Sequence, residues 1–240
     1  MAGEKQAIID KLRQDILAWE GFKPAATEGA HFGLGPLEAA FPNKVFPTGA
    51  IHEFISGRPV ETAACGGIIA GILRVLLEKG GICVWVSYTR RIYPPALKRF
   101  GLNPDRVIFV DTPLQKDVLW VMEEALKCQG VAAVVCETHD LSFMESRRLQ
   151  LAVEQSHVTG FVLRKDVKKE NTTACVSRWH VQPVRSQLRA GMPGVGLPRW
   201  QVELTKIRNG TPGTWTLEWF QHQFRTVTPF AAPEKLHRYA

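Results

Sequence analysis

From residue 49 onward, short apolar runs alternate with stretches whose apolar positions recur at helical spacing. The pattern predicts a strand over Ile51 to Ile55, a helix over about 61–78 closed by Gly80-Gly81, and a strand "ICVWVS" over 82–87. A short helix follows Pro94-Pro95, then strand "VIFVD" 107–111, a helix over about 116–128 stopped by Gly130, and strand "VAAVVC" 131–136. A helix over about 143–157, with Ser142 as its cap, and strand "GFVLR" 160–164 complete the series. Each strand is nearly all apolar, as a parallel sheet covered on both faces requires. The expected fold class is therefore α/β, a mostly parallel sheet covered by helices.

Beyond about residue 172 the period changes to two. "ACVSRWHVQPV" alternates, and "RWQVELTKI" and "TWTLEWF" are strands joined by the turn "RNGTPG". Trp200, Val202 and Leu204 share one face, as do Trp215, Leu217 and Trp219, so an antiparallel hairpin extends the sheet. The intervening segment 185–198 has no periodicity and is expected to be a mobile loop. At the other end, residues 4 to 20 form an amphipathic helix with Ile8, Ile9, Leu12, Ile16 and Leu17 on one side, stopped by Gly21. The expected organisation is a helix and Gly/Pro/Ala linker over 1–48, a core with its hairpin over 49–226, and a tail over 227–240.

Composition narrows the class. With 45% hydrophobic and 22% charged residues in 240, the chain can bury a substantial core. Its N-terminus lacks an apolar leader, and no uninterrupted apolar run approaches a membrane span, so the expectation is a cytoplasmic protein with no membrane contact. Five scattered cysteines without C-x-x-C spacing argue for reduced thiols. The net charge of +7 is uneven: residues 161–226 hold eleven Lys/Arg against four acids, which makes the C-terminal third electropositive.

The stretch "FISGRPVETAACGGIIAG" has the outline of a phosphate-binding loop between strand and helix. Such a loop needs glycines, a lysine for the β/γ charge and a hydroxyl for Mg²⁺. On G-x-x-x-x-G-K-[ST], this chain puts Ser56 and Glu61 at the glycines, Thr62 at the lysine and Ala63 at the magnesium ligand, with Gly57 inside the turn. Losing two charge-assisted hydrogen bonds weakens nucleotide binding by roughly 3–6 kcal/mol. Strand 131–136 ends in Cys136 where an acid would position the metal. The expectation is no catalysis and no cofactor.

The order of "GAIHEFISG", "GGICVWVSYTRR", "GLNPDRVIFVD", "VAAVVCET" and "SRRLQLAVEQSHVTGFVLR" resembles the RecA core with its ATP site erased. Together with "PRWQVELTKIRNG" and "GTWTLEWF", the chain resembles the ImuA family, RecA-like accessory proteins of bacterial mutagenic repair. The likeness spans roughly residues 30 to 226. It implies an induced, non-catalytic subunit that works with ImuB, a Y-family polymerase relative, in translesion synthesis after DNA damage. RecA, DNA and further copies of the chain are additional partners that such a fold allows. Two other readings are a cell-division inhibitor like SulA and a DNA-dependent ATPase.

Six cations are candidates for DNA contact: Arg164, Lys165, Lys168 and Lys169 at and beyond a strand end, and Arg185 and Arg189 in the aperiodic loop. Trp200, Trp215 and Trp219 could stack on bases, but alternating tryptophans in a hairpin favour core packing. Cys136, Glu137 and His139 lie close in sequence, with no second pair of metal-ligating residues beside them, so no metal site is expected. "FKPA" matches an F-x-x-A docking pattern, and Leu12, Ile16, Phe22 and Ala25 are the candidates for self-association.

Overall fold

The computed structural model describes residues 5, 8, 11, 12, 15, 16, 32–89, 91–186 and 194–227. Nine strands form one sheet in the order β3-β2-β4-β5-β1-β6-β7-β8-β9. They are β1 (Ile51–Ile55), β2 (Ile82–Ser87), β3 (Val107–Asp111), β4 (Val131–Thr138), β5 (Thr159–Arg164), β6 (Ser177–Val184), β7 (Arg199–Ile207), β8 (Gly213–Phe220) and β9 (Gln223–Thr226). β1 to β6 run parallel, and β6 to β9 pair antiparallel with their neighbours. The alternating segment after residue 172 thus supplies β6, which joins the parallel half to the antiparallel half.

Helices cover the parallel strands on both faces. On one side α1 (Pro59–Glu78) packs Ile68, Ile69, Ile72 and Leu73 against Phe54, Trp85, Val135, Phe161 and Trp179. On the other, α2 (Gln115–Leu126) and α3 (Phe143–Ser156) pack Val118, Met122, Leu149 and Val153 against Ile51, Val84, Val134 and Val162. β2, β4 and β5 therefore send apolar side chains both ways, which explains their nearly unbroken apolar sequences. α1 is long and apolar enough by composition to cross a membrane, but eleven of its residues are buried in this core. A Cβ at Gly71 would overlap the Phe224 ring, so glycine there lets α1 approach β9 closely.

Ser142 Oγ accepts a hydrogen bond from the Glu145 N–H at 3.2 Å, and Glu145 Oε2 accepts one from the Ser142 N–H at 2.8 Å, which fixes the start of α3. Trp200 and Trp219 are buried in the first cluster and Trp215 packs against it.

Two expectations change. Residues 32–48 are not a linker: Phe32, Leu34, Leu37, Phe41 and Phe46 are buried, and Phe46 stacks on His52 at 4.4 Å between ring centroids. Apolar residues spaced too irregularly for a helix or strand still bury when short 3-10 turns, here Gly35–Ala40 and Pro42–Lys44, aim them inward. β9 also adds a strand beyond the expected hairpin. From 228 on, the expected tail lies outside the described residues.

Candidate functional site

In open α/β sheets, ligands are taken at the carboxyl ends of the parallel strands. Here β1 leads through Ser56, Gly57 and Arg58 into α1, with Arg58 as the N-cap and Pro59 at the first helical position. Glu61 folds back over that turn. Its Oε2 accepts from the Gly57 N–H at 2.8 Å and the Arg58 N–H at 3.2 Å, and its Oε1 accepts from Arg58 Nε at 2.8 Å. Burial pushes the Glu61 carboxyl up, but the Gly57 amide and the Arg58 side chain and amide outweigh it and hold the group below its ordinary value. The Glu61 and Thr62 N–H groups both donate to Arg58 O, at 3.0 and 3.1 Å. Ser56 is buried, bonding Thr62 Oγ1 at 2.8 Å and donating to Arg164 O at 3.0 Å. Ala63 is exposed.

Two buried carboxylates lie on opposite faces of the sheet. Glu53, in the middle of β1, accepts from Arg164 Nη1 at 2.7 Å, Thr173 Oγ1 at 2.8 Å and Arg178 Nε at 2.9 Å. Glu137 on β4 accepts from Trp85 Nε1 at 3.0 Å, Lys165 Nζ at 2.9 Å and Ser87 Oγ at 3.3 Å. Lys165 also donates to Thr89 Oγ1 at 2.9 Å and lies over the Tyr88 ring, 4.8 Å from its centroid. Both oxygens of each carboxylate have partners, as buried charge requires.

These networks correct the expectation of an exposed basic run at 164–169. Arg164 and Lys165 are each 3% exposed and committed to Glu53 and Glu137. Lys168, Lys169 and Arg185 are exposed, and Arg189 lies outside the described residues. His139 makes no metal cluster: its Nδ1–H donates to Lys165 O at 2.9 Å, which leaves Nε2 to accept from the Tyr88 hydroxyl. Among the described residues, no three His, Cys, Asp or Glu side chains gather where they could hold a metal ion. Cys65 is buried in α1, and burial pushes its thiol up, away from the reactive thiolate. Leu12 and Ile16 are helical and exposed, while Phe22 and Ala25 lie outside the described residues.

Glu53 and Arg178 were not singled out by motif. A signal existed: a glutamate inside the otherwise buried strand "IHEFI" must find cations, and the strand-end arginine and lysine were candidates to supply them.

No family model matches the chain. Among solved structures it is similar to the RadB recombinase, with a TM-score of 0.58 and 14% identity over 83% of this chain and 100% of that one. That likeness establishes the RecA-like fold. Among curated proteins it is 33% identical over 218 residues to Protein ImuA of Caulobacter vibrioides, both in strain NA1000 / CB15N and in strain ATCC 19089 / CIP 103742 / CB 15. The match covers 83% of this chain and 89% of the relative. With that identity over that span, the chain belongs to the ImuA family.

Proposed function

We propose that this chain is a non-catalytic, cytoplasmic RecA-like adaptor of damage-induced, error-prone translesion synthesis, with ImuB as its partner. Family membership and the RecA-like fold support the setting. The observation that carries the non-catalytic part is the Glu61 carboxylate on the Gly57 and Arg58 N–H groups. A triphosphate seeking that turn meets a like charge already bonded to its amides, and Thr62 offers no cation in place of the lysine. The missing lysine and magnesium ligand remove roughly 3–6 kcal/mol, which places ATP affinity near the millimolar range. RecA, DNA and self-association through the helix bearing Leu12 and Ile16 are further contacts of the same reading.

Calorimetry with Mg-ATP tests the non-catalytic part. No saturable heat below about millimolar nucleotide is expected, and micromolar affinity would overturn it. A pull-down comparing ImuB with the division GTPase tests the partner, because retention of the GTPase instead would favour the SulA-like reading.

A further inference from the structure

A pocket of about 350 Å³ opens between the first turns of α1 and the 3-10 helix Pro94–Phe100. Small residues make it. Ala63, Gly66 and Gly67 leave the helix wall low, and a Cβ placed on Gly66 would meet no atom within 4 Å. Opposite stand Tyr93, Leu97 and Phe100, with Trp85 and Leu163 also lining the space. Apart from Arg91 and Tyr93, the polar side chains that border it are engaged: Glu137 and the Trp85 indole bond each other at 3.0 Å, and Thr62 Oγ1 bonds Ser56 Oγ at 2.8 Å. With Ala63, Gly66, Leu97, Phe100 and Leu163 as most of its interior, the pocket suits an apolar group.

The side of it toward the 3-10 helix carries exposed positive charge. Arg91 lines the pocket and is exposed, and Lys98 and Arg99 are exposed on the 3-10 helix that forms its wall. None of the three makes an ion pair among the described residues. Tyr93, 69% exposed, stands beside Arg91 as an aromatic surface open to solvent. A concave apolar seat with Arg91 in its lining and Lys98 and Arg99 exposed on the adjoining 3-10 helix is complementary to a bulky apolar anchor flanked by acids. A nucleic-acid strand fits it less well. Its bases would find few hydrogen-bonding partners among Ala63, Gly66, Leu97, Phe100 and Leu163.

We propose that this pocket seats one large aromatic side chain, of tryptophan or phenylalanine size, from an acidic segment of a partner protein. The proposal rests on the adaptor reading above and names the surface and partner chemistry through which the adaptor docks. Anchor burial supplies most of the affinity, and the cationic rim supplies orientation and rate.

The probe is a fluorescein-labelled, end-capped peptide, Asp-Glu-Asp-Trp-Glu-Asp-Glu, titrated against the full-length chain by anisotropy at low and moderate salt. Binding at tens of micromolar is expected, lost when the peptide's tryptophan becomes alanine. Gly66→Leu fills the empty volume from a helical position where leucine is a better helix former. It should weaken the probe at least tenfold with no fall in melting temperature. Should that variant fold poorly, the surface pair Arg91→Glu with Lys98→Glu is expected to weaken the probe about tenfold at low salt and less at high salt. Undiminished binding to a folded Gly66→Leu, no probe binding at millimolar protein, or displacement of the probe from the pocket by oligothymidylate would each overturn the proposal. ImuB separates the two levels. If Gly66→Leu retains ImuB as well as the parent does, this pocket is not the seat while the adaptor stands. If the parent chain fails to retain ImuB, the adaptor reading fails, and peptide binding alone decides the pocket.

Discussion

Arg164, at the end of β5, donates from Nη1 to Oε1 of Glu53 on the neighbouring β1 at 2.7 Å, and both side chains are buried. The pairing follows from register, since Ile55 sits opposite Arg164 and puts Glu53 two residues back on the same face. Arg178 on β6 reaches the other carboxylate oxygen at 2.9 Å, so one acid ties together three adjacent parallel strands. Glu53→Gln leaves the buried Arg164 guanidinium without its counter-charge and Arg178 with Glu170 alone, and should cost about 3 kcal/mol in urea unfolding. Arg164→Met should cost less, because Glu53 keeps Arg178 and Thr173. Equal losses for both, or a loss under about 1 kcal/mol for Glu53→Gln, would mean the network contributes little.

His52 makes stability fall in mild acid. Its Nε2–H donates to Pro47 O at 2.8 Å, and its Nδ1 accepts from Ser177 Oγ at 2.6 Å, a hydroxyl that itself accepts from Trp179 Nε1 at 2.7 Å. Complete burial lowers its pKa from 6.5 to about 4, against a smaller opposing pull from Pro47 O. Between 6.5 and about 4, the unfolded chain takes up a proton that the folded chain refuses, so stability is lost as pH falls through that window. Above it both states are neutral and His52 adds no pH dependence. The loss by pH 4 is on the order of 3 kcal/mol. His52→Phe, which cannot titrate, should flatten this part of the pH profile of unfolding. An unchanged slope would place the titration elsewhere.

Lys168 and Lys169 are exposed while Lys165 is paired with Glu137, so neighbouring lysines should separate cleanly in a DNA-binding assay. Replacing both Lys168 and Lys169 with alanine should weaken binding to single-stranded DNA and reduce the salt slope by about 1.5, with melting temperature unchanged. Lys165→Ala should lower the melting temperature, because it strands the Glu137 carboxylate in the interior. A salt slope that responds to Lys165 and not to Lys168 and Lys169 would contradict this assignment.

Much of the parallel half was legible in the sequence, because strands buried on both faces leave unbroken apolar runs such as "ICVWVS" and "VAAVVC" and the helices between them carry their own punctuation. The alternating tryptophans gave the faces of β7 and β8 because only one face of each of those strands is packed on the core. β9 escaped because the turn before it, Gln221-His222, takes left-handed backbone angles, φ 48° and 63°, without the glycine or asparagine that marks such turns. Residues 32–48 escaped because their burial has no period. At the site, the replacement of lysine by Thr62 was visible residue by residue, but the return of the Glu61 carboxylate to Gly57 was not. The fate of Arg164 and Lys165 turns on acids, Glu53 and Glu137, distant in sequence, and only strand order brings those together.

Purified ImuB titrated into the chain by calorimetry, once in buffer and once with Mg-ATP, separates a non-catalytic adaptor from a nucleotide-driven one. A non-catalytic adaptor predicts saturable binding with the same Kd in both runs and no phosphate released. Absence of binding at micromolar protein, or binding that appears only with ATP, would contradict it.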